Sequence, residues 1–246
     1  MTDASGDSPE PGSPAPKAAA SAELPRFDVV ERLVHWSLAI MVLTLIVTGA
    51  TLYFPILALH VGHRGLIEEI HVTTGLCLVI PLGAGLAGPW RKRLVVDLRR
   101  FDRWGEADFD WFRRSDRRLG LPRDKFNGGQ KIEAAFLGAA LAAALVTGVI
   151  MRYAPSSWVT FATGATLVHD ALFFAIVVAV VAHVGFALSR PDQLKSMFTG
   201  RISRSWAHAH AQGWLAEVEA RDAVAPDKEP IEAVLPGPDT EPGPPA

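Results

Sequence analysis

The sequence predicts an all-α protein: a four-helix transmembrane bundle with a cytoplasmic interfacial C-terminal helix and disordered tails. The 246 residues are 49% hydrophobic, and the apolar residues are concentrated in four blocks. Each block holds roughly 20 or more mostly apolar residues, enough for a helix to cross a hydrocarbon core about 30 Å thick. The blocks do not alternate with the period of two typical of a strand, and a helix satisfies its own backbone polar groups in lipid.

The two ends of the chain have the composition of disordered segments. Residues 1–24 and 217–246 are rich in Ala, Pro, Gly and acidic residues. Such segments bury too little apolar surface to offset the conformational entropy lost on folding. The first of them also contains no apolar stretch that could act as a signal peptide. We therefore expect a membrane domain at residues 25–216 between an N-terminal tail and an acidic C-terminal tail.

Within the membrane domain we predict helices at about residues 33–54, 65–89, 129–152 and 158–189. These spans contain neither an internal repeat nor an obvious helix break, two features common in transporters. Charged residues within them are few, and Asp170 is one of them. Aromatic residues of the kind found at membrane interfaces flank the spans at Tyr53, Phe54, Trp90, Tyr153 and Trp158.

The basic residues predict the orientation of the bundle. The segment from residue 91 to residue 131 holds 13 Lys and Arg, whereas the connection between the first two spans holds Arg64 alone. The last two spans are joined by a turn with no Lys or Arg beyond Arg152 at its edge. Since cytoplasmic loops retain Lys and Arg, we expect both termini and the central segment to lie inside a bacterial cytoplasmic (inner) membrane.

Four of the eight histidines fall inside the predicted spans, at His35, His71, His169 and His183. Ionisable side chains are uncommon at membrane depth and indicate function. His169 and His183 are 14 residues apart, so they share one face of the last helix about 21 Å apart along its axis. The predicted topology brings His35 to the inner level of His183 and His71 to the outer level of His169.

Pairs of imidazoles that face each other across a helix bundle are suitable axial ligands for haem iron. Two axial imidazoles leave the iron no open position, which predicts electron transfer and not oxygen or substrate binding. Zinc is the competing metal, but each level offers only two ligands without Cys or acid on the same face. Taken singly, any of these histidines could be a hydrogen-bonded structural residue, so the prediction depends on their arrangement.

Glycines at the same spacing offer room for a flat macrocycle. A step of 14 residues leads from His35 to Gly49 and from His71 to Gly85. The first two spans would thus present a ligand at one level and bare backbone at the other. The alternative is that glycine is simply frequent in membrane helices.

Two amide side chains precede the third span, in the segment KFNGGQK at residues 125–131. Asn127 and Gln130 lie near the inner level of His183, and a quinone headgroup needs polar partners for its two carbonyl oxygens. Asn127, Gln130 and His183 are therefore a candidate quinone-binding site. The alternative is a helix start whose amides act as caps.

The segment MFTGRISRSWAHAHAQGW, at residues 197–214, predicts an amphipathic helix on the inner membrane face. Its His208 and His210 could bind a metal, although solvated interfacial histidines are the simpler interpretation. His60 and His63 are expected in the outer loop, where they could contact a partner subunit.

Composition excludes several other classes of protein. The formal net charge of -2 argues against nucleic-acid binding, which usually requires a strong basic bias. The single cysteine, Cys77, excludes a disulfide scaffold, a zinc site with several thiolates and a Cys-ligated iron–sulfur cluster within this chain.

Over about residues 26–215 the chain resembles the cytochrome b (gamma) subunit of membrane-bound formate dehydrogenases. The resemblance is carried by RFDVVERLVHW at 26–36, TG at 48–49, KFNGGQK at 125–131, TGVIM at 147–151, the His169/His183 pair and the segment 197–214. It implies a four-helix bundle carrying two haems b. Asn127 and Gln130 match the motif that lies near the quinone in that family.

The resemblance also implies a route for electrons. A partner iron–sulfur (beta) subunit would bring them from a molybdenum or tungsten formate dehydrogenase catalytic subunit to the outer haem, held by His71 and His169. The inner haem, held by His35 and His183, would pass them to menaquinone or ubiquinone. The chain itself would not oxidise formate.

The chain departs from the family pattern in two places. Family members commonly carry adjacent histidines where this chain has His208-Ala209-His210, and the acidic C-terminal tail is additional. Two alternatives remain open: a cytochrome b subunit of another respiratory oxidoreductase such as hydrogenase, and a haem-free membrane transporter or scaffold.

Overall fold

The computed structural model describes residues 23–113 and 123–224. The predicted tail residues 1–22 and 225–246, and part of the basic central segment, lie outside the described residues. Within the described part, four helical segments are long and apolar enough to cross a membrane, with mean hydropathy between 1.7 and 2.6. The fold-class prediction, an all-α bundle with four membrane-spanning segments, is confirmed.

The spans follow the predicted ranges closely. They are α1 (Val29–Tyr53), α3 (Arg64–Cys77) continued by α4 (Ile80–Ala87), α7 (Gly128–Tyr153) and α8 (Val159–Leu188), with a short α2 (Pro55–Val61) between the first two spans and a 3₁₀ turn (Ser156–Trp158) between the last two. Most residues in these spans are not buried against protein, and many of their large apolar side chains are exposed. Such a surface requires a lipid environment.

The bundle consists of two helical hairpins. Helix α1 packs along α3 and α4, and α7 packs along α8, whereas contacts between the two hairpins are sparse. The hairpins meet at an apolar layer that includes Val42, Leu78, Ala140 and Ile176. Ile176 lies midway in sequence between His169 and His183, so this layer separates the two histidine levels.

The second span is broken between α3 and α4, which the sequence analysis did not predict. Pro81 stands in the first turn of α4. Because proline has no backbone N–H, it cannot donate to the carbonyl of Cys77, and the helix is interrupted there. The break is therefore a local consequence of one proline.

The central basic segment is not simply a loop. Helix α5 (Arg91–Phe101) follows the second span, and α6 (Glu106–Arg113) packs against the start of α7. Helix α5 is amphipathic and buries Leu94, Asp97 and Arg100. Sequence analysis missed both helices because their many charges are typical of solvated loops.

Residues 197–214 do not form one interfacial helix. Helix α9 (Pro191–Thr199) ends at Gly200, which has φ 76°, and β2 (Arg201–Ser203) and α10 (Arg204–His210) follow. A Cβ atom at Gly200 would lie 2.5 Å from the carbonyl oxygen of Phe27, so both the backbone conformation and the close approach require glycine. Strand β2 pairs antiparallel with β1 (Glu23–Pro25), and Leu24 lies opposite Ile202.

The predicted C-terminal tail begins too early. Helix α11 (Gln212–Val224) extends beyond residue 216, and it buries Trp214, Leu215 and Val218 against Leu24 and Ile202. The acidic composition suggested disorder, but this apolar face finds a partner in the β1–β2 pair. Residues 23 and 24, predicted as tail, are likewise held in β1.

We call the side with β1, β2 and α9–α11 the terminal side, and the opposite side, with α2 and the 3₁₀ turn, the turn side.

Ionic contacts join the terminal-side elements. The Arg100 guanidinium donates to Glu217 at 2.6 and 2.7 Å and also pairs with Asp124, while Lys125 pairs with Asp97. Burial lowers the pKa of Lys125, and the carboxylates of Asp97 and Glu31 oppose that shift.

Arg26 is enclosed in the same region. Its guanidinium lies 4.6 Å from the ring of Trp206 and 5.0 Å from that of Phe27. Burial lowers the pKa of Arg26 to about 10, and the Asp97 carboxylate limits the decrease. These contacts tie the N-terminal strand to the segments that follow the second and fourth spans.

Candidate functional site

The structure brings the four span histidines together as two pairs. The rings of His35 and His183 have centroids 6.1 Å apart at an interplanar angle of 45°. Those of His71 and His169 have centroids 6.2 Å apart at 72°. The first pair lies on the terminal side and the second on the turn side, and both join the α1–α4 hairpin to α8.

On the turn side, threonine hydroxyls hold both imidazoles. Thr48 Oγ1 lies 2.9 Å from His71 Nδ1, and Thr147 Oγ1 lies 3.0 Å from His169 Nδ1. Each hydroxyl also donates to its own helix, to the carbonyl oxygens of Thr44 at 2.7 Å and Ala143 at 2.8 Å respectively.

These contacts favour one tautomer of the turn-side histidines. When the single hydrogen of each hydroxyl is given to its helix carbonyl, the hydroxyl oxygen accepts a hydrogen bond from Nδ1–H. Nε2 then carries the free lone pair. A metal-bound histidine characteristically donates its other ring N–H in this way, which orients the ring and increases its basicity.

A glycine follows each of these threonines and lies against the same imidazole. A Cβ atom at Gly49 would lie 3.3 Å from His71 Cε1, and one at Gly148 would lie 3.3 Å from His169 Cε1. In each hairpin, one Thr-Gly pair therefore contacts a turn-side histidine. Sequence analysis selected Gly49 but not Gly148, although the TG in both motifs was a signal for it.

Gly85 has a different role from the one predicted. A Cβ atom there would lie 2.9 Å from both Leu94 Cδ2 and Val34 Cγ2. Gly85 therefore allows α4 to pack closely on α1 and α5. Its absent side chain makes room for helix packing and not for a ligand.

On the terminal side, the partner of the histidine pair is a carboxylate. His183 Nδ1 lies 3.1 Å from Glu133 Oε1. His35 packs edge-on against Trp36, with centroids 5.5 Å apart. Sequence analysis missed Glu133, because an acidic residue at the start of a span is easily taken for a boundary residue.

The two pairs fit haem iron in spacing and in donor type. With a metal–imidazole bond of about 2.0–2.1 Å, and the ligating nitrogen about 1.1 Å from its ring centroid, the centroids of two axial rings lie about 6.2–6.4 Å apart. The observed separations of 6.1 and 6.2 Å are close to this value. The free lone pairs on the turn side and the bare backbone at Gly49 and Gly148 are consistent with the same group.

Asn127 and Gln130 form a helix cap. Gln130 N donates to Asn127 Oδ1 at 3.0 Å, and Asn127 N donates to Gln130 Oε1 at 3.1 Å, which is a reciprocal capping box at the start of α7. Gln130 Nε2 then donates to Gln193 Oε1 at 3.2 Å. The capping alternative is therefore realised in the structure, and it uses the amide oxygens. Among the described residues, the NH₂ of Asn127 has no hydrogen-bond partner.

The two amides lie on different sides of the helix start. Asn127 and Lys131 line a cavity with Trp104 and Trp111 of the α5–α6 region, whereas Gln130 contacts α9. Lys131 is held by Asp108 Oδ2 at 2.7 Å. A quinone headgroup that contacts both amides would have to lie at the N-terminal end of α7.

The remaining histidines lie away from both pairs. His60 belongs to α2 on the turn side, and its Nδ1 lies 2.7 Å from the carbonyl oxygen of Ile56. His210 stacks on Trp206 with centroids 5.1 Å apart, and its Nδ1 contacts the carbonyl oxygen of Trp206 at 3.1 Å. His63 and His208 are exposed.

The chain is similar to known membrane cytochromes. The cytochrome b556(Fdn) subunit of nitrate-inducible formate dehydrogenase from Escherichia coli strain K12 is 23% identical over 221 residues, which cover 84% of this chain and 96% of that protein. The cytochrome b556 subunit of formate dehydrogenase from Haemophilus influenzae is 23% identical over 192 residues, covering 76% and 79%. The family model described as prokaryotic cytochrome b561 matches residues 26–200. This chain, with its two histidine pairs in a four-span bundle, belongs to the prokaryotic cytochrome b561 family.

Proposed function

We propose that this protein is a dihaem b-type cytochrome, the membrane subunit of a formate dehydrogenase complex that passes electrons to membrane quinone. The observation that carries the proposal is the pair of cross-hairpin histidine contacts, with centroids 6.1 and 6.2 Å apart. The family supplies the cofactor class, since cytochromes b carry haem b. The names of the relatives supply the complex.

Each residue of the two pairs has a defined task in this proposal. His71 and His169 hold the haem on the turn side, and Thr48 and Thr147 keep their Nε2 atoms free for iron. His35 and His183 hold the haem on the terminal side. Haem bound by two imidazoles supplies a one-electron redox centre without an open coordination position.

The basic residues support the orientation. The 13 Lys and Arg between residues 91 and 131 support a cytoplasmic position for the terminal side, because such residues are retained inside. The turn-side pair is then the outer haem site and the terminal-side pair the inner one. Both termini would be cytoplasmic in a multi-pass protein of the bacterial inner membrane.

Quinone reduction belongs to the inner side. Asn127 and Gln130 remain the proposed hydrogen-bond partners for the headgroup of menaquinone or ubiquinone, and His183, whose Nδ1 lies against Glu133, remains a proposed contact as a ligand of the inner haem. What supports this is that α7 carries both the amide cap and Glu133, the contact of His183. The NH₂ of Asn127 is a donor suited to a quinone carbonyl, and the protons for quinol come from the cytoplasmic water on this side.

The proposed partners follow from the relatives. An iron–sulfur (beta) subunit would deliver electrons to the outer haem and connect it with a molybdenum or tungsten catalytic subunit. The relatives favour formate dehydrogenase over hydrogenase, because both are named as cytochrome subunits of formate dehydrogenase.

The decisive experiment is a reduced-minus-oxidised optical spectrum of the purified membrane protein, with haem counted per polypeptide. We expect a b-type spectrum and two haems per chain. A folded, colourless preparation from haem-supplemented cells would overturn the proposal and favour a haem-free transporter or scaffold. In membranes containing the whole complex, formate should reduce both haems, and reduction by hydrogen alone would instead assign the chain to a hydrogenase.

A further inference from the structure

Glu133 is an acidic residue inside a membrane-spanning helix. It is the sixth residue of α7, and its carboxylate lies 3.1 Å from Nδ1 of His183 on α8. Its side chain is only 25% exposed, and His183 Nδ1 is the basic nitrogen that it contacts within the described residues. Acidic side chains at membrane depth are costly and indicate function.

The backbone of α7 does not need Glu133. The residue lies in the second turn from the N-terminal end of the helix, beyond the first-turn N–H groups that require a cap. Asn127 and Gln130 already cap the backbone of the first turn, so the carboxylate of Glu133 is not needed as a cap. It is instead free to accept a hydrogen bond from an imidazole of the neighbouring helix.

The turn-side pair provides the comparison. There, His71 and His169 each donate to a neutral hydroxyl, that of Thr48 or Thr147. A hydrogen bond to a carboxylate is shorter and stronger than one to a neutral group, and it gives the imidazole partial negative character. The two levels thus differ in the group that faces the histidines, which is a hydroxyl on the turn side and a carboxyl group on the terminal side.

We propose that Glu133 is a positioning residue that lowers the reduction potential of the inner haem by accepting a hydrogen bond from His183. This proposal rests on the proposed function, since it requires His183 to be an iron ligand. A negative charge one hydrogen bond behind the ligand stabilises the ferric state, which carries one more positive charge than the ferrous state. The hydrogen-bond partner of the non-ligating ring nitrogen of an axial histidine is an established determinant of metal-site properties.

The consequence concerns the last electron transfer. A lower potential makes the reduced inner haem a stronger reductant toward quinone, which takes up two electrons, one at a time, and two protons. Removal of the Glu133 charge should therefore keep the electron on the inner haem for longer and slow quinol formation.

The test is a potentiometric titration of the purified wild type and the Glu133→Gln variant, followed by optical spectroscopy. The amide keeps an acceptor oxygen and removes the charge. His183→Ala identifies the inner component as the one that disappears. Thr147→Val is the matched control on the outer level, because it removes the partner of His169 from the same helix.

We expect Glu133→Gln to retain two haems and to shift only the inner component upward, by about a tenfold change in its reduction equilibrium, which for one electron is about 59 mV. Thr147→Val should leave the inner component unchanged. An inner potential equal to that of the wild type, or an equal shift of both components, would overturn the proposal.

A second pair of variants keeps the test valid if the glutamine variant loses a haem. Glu133→Asp and Glu133→Asn have the same length and differ in charge. The aspartate variant should have the lower inner potential, and equal potentials would overturn the proposal. A wild-type protein that binds no haem would overturn the proposed function itself, so the two failures are distinguishable.

Discussion

The turn-side and terminal-side histidine pairs are built in different ways. On the turn side each imidazole contacts a Thr-Gly pair of a neighbouring span, so these contacts come from the helices of the bundle. On the terminal side the contacts continue beyond the bundle, because Trp36, which packs on His35, donates from Nε1 to the carbonyl oxygen of Met197 at 3.1 Å. The difference indicates a turn-side site fixed by helix packing and a terminal-side site coupled to the segments around it.

The largest expected effect comes from removal of one ligand at each level. His183→Ala should reduce haem content from two to one and block quinol formation, while the outer haem remains reducible by the donor. His71→Ala should abolish donor-driven reduction of both centres. Haem counting and stopped-flow optical reduction measure these outcomes. Quinol formation that persists in His183→Ala would show that the inner level is assigned wrongly.

The next prediction tests whether the outer haem requires a residue without a side chain at Gly148. Gly148→Leu should expel the outer haem and retain the inner one, because even its Cβ would approach His169 Cε1 to 3.3 Å. Gly138→Leu is the matched control, since it lies on the same helix and its Cβ would meet no atom of the described residues within 4 Å. If both variants lose haem equally in the optical assay, the loss reflects damage to α7.

A smaller effect is expected from the hydroxyl partners. Thr147→Val removes the acceptor for His169 Nδ1–H with little change in shape, and it should weaken retention of the outer haem by about 10–100-fold. Haem transfer to apomyoglobin measures this loss. Thr163→Val is the control, because Thr163 bonds only to its own helix, at the carbonyl oxygen of Val159. Equal retention in Thr147→Val and wild type would show that the hydroxyl serves α7 alone.

The smallest effect separates the two roles of Asn127. Asn127→Ala should lower stability by about 0.5–2 kcal/mol through loss of the cap. Asn127→Asp keeps the capping oxygen and loses only the NH₂, so it should slow quinone turnover while the melting temperature and haem content stay as in the wild type. Unchanged turnover in the aspartate variant would restrict Asn127 to its capping role.

Sequence reasoning predicted the histidines of each level better than the residues that contact them. The spacing of His169 and His183, with the loop charges, was sufficient to predict the two pairs that the structure brings together. Glu133 and Gly148 were missed because their importance depends on which residue they meet across a helix interface. The haem, quinone and orientation assignments stay predictions, and the experiments above are designed to test them.

The terminal-side segments illustrate the same limit. Helix α11 was expected to be disordered from residue 217, because its charges and small residues resemble a solvated tail. It is ordered by burial of Trp214 and Leu215 against residues nearly 200 positions earlier, in β1. No local sequence pattern predicts such a pairing.

The sequence by itself determined the four spans and the two levels of the histidines. These follow from the length of apolar runs and the rise of a helix per residue, both of which are local properties. Only the tertiary structure decided that hydroxyls support one imidazole pair and a carboxylate the other. That choice depends on how the hairpins pack, because a hydrogen-bond partner on another helix is set by three-dimensional proximity and not by spacing along the chain.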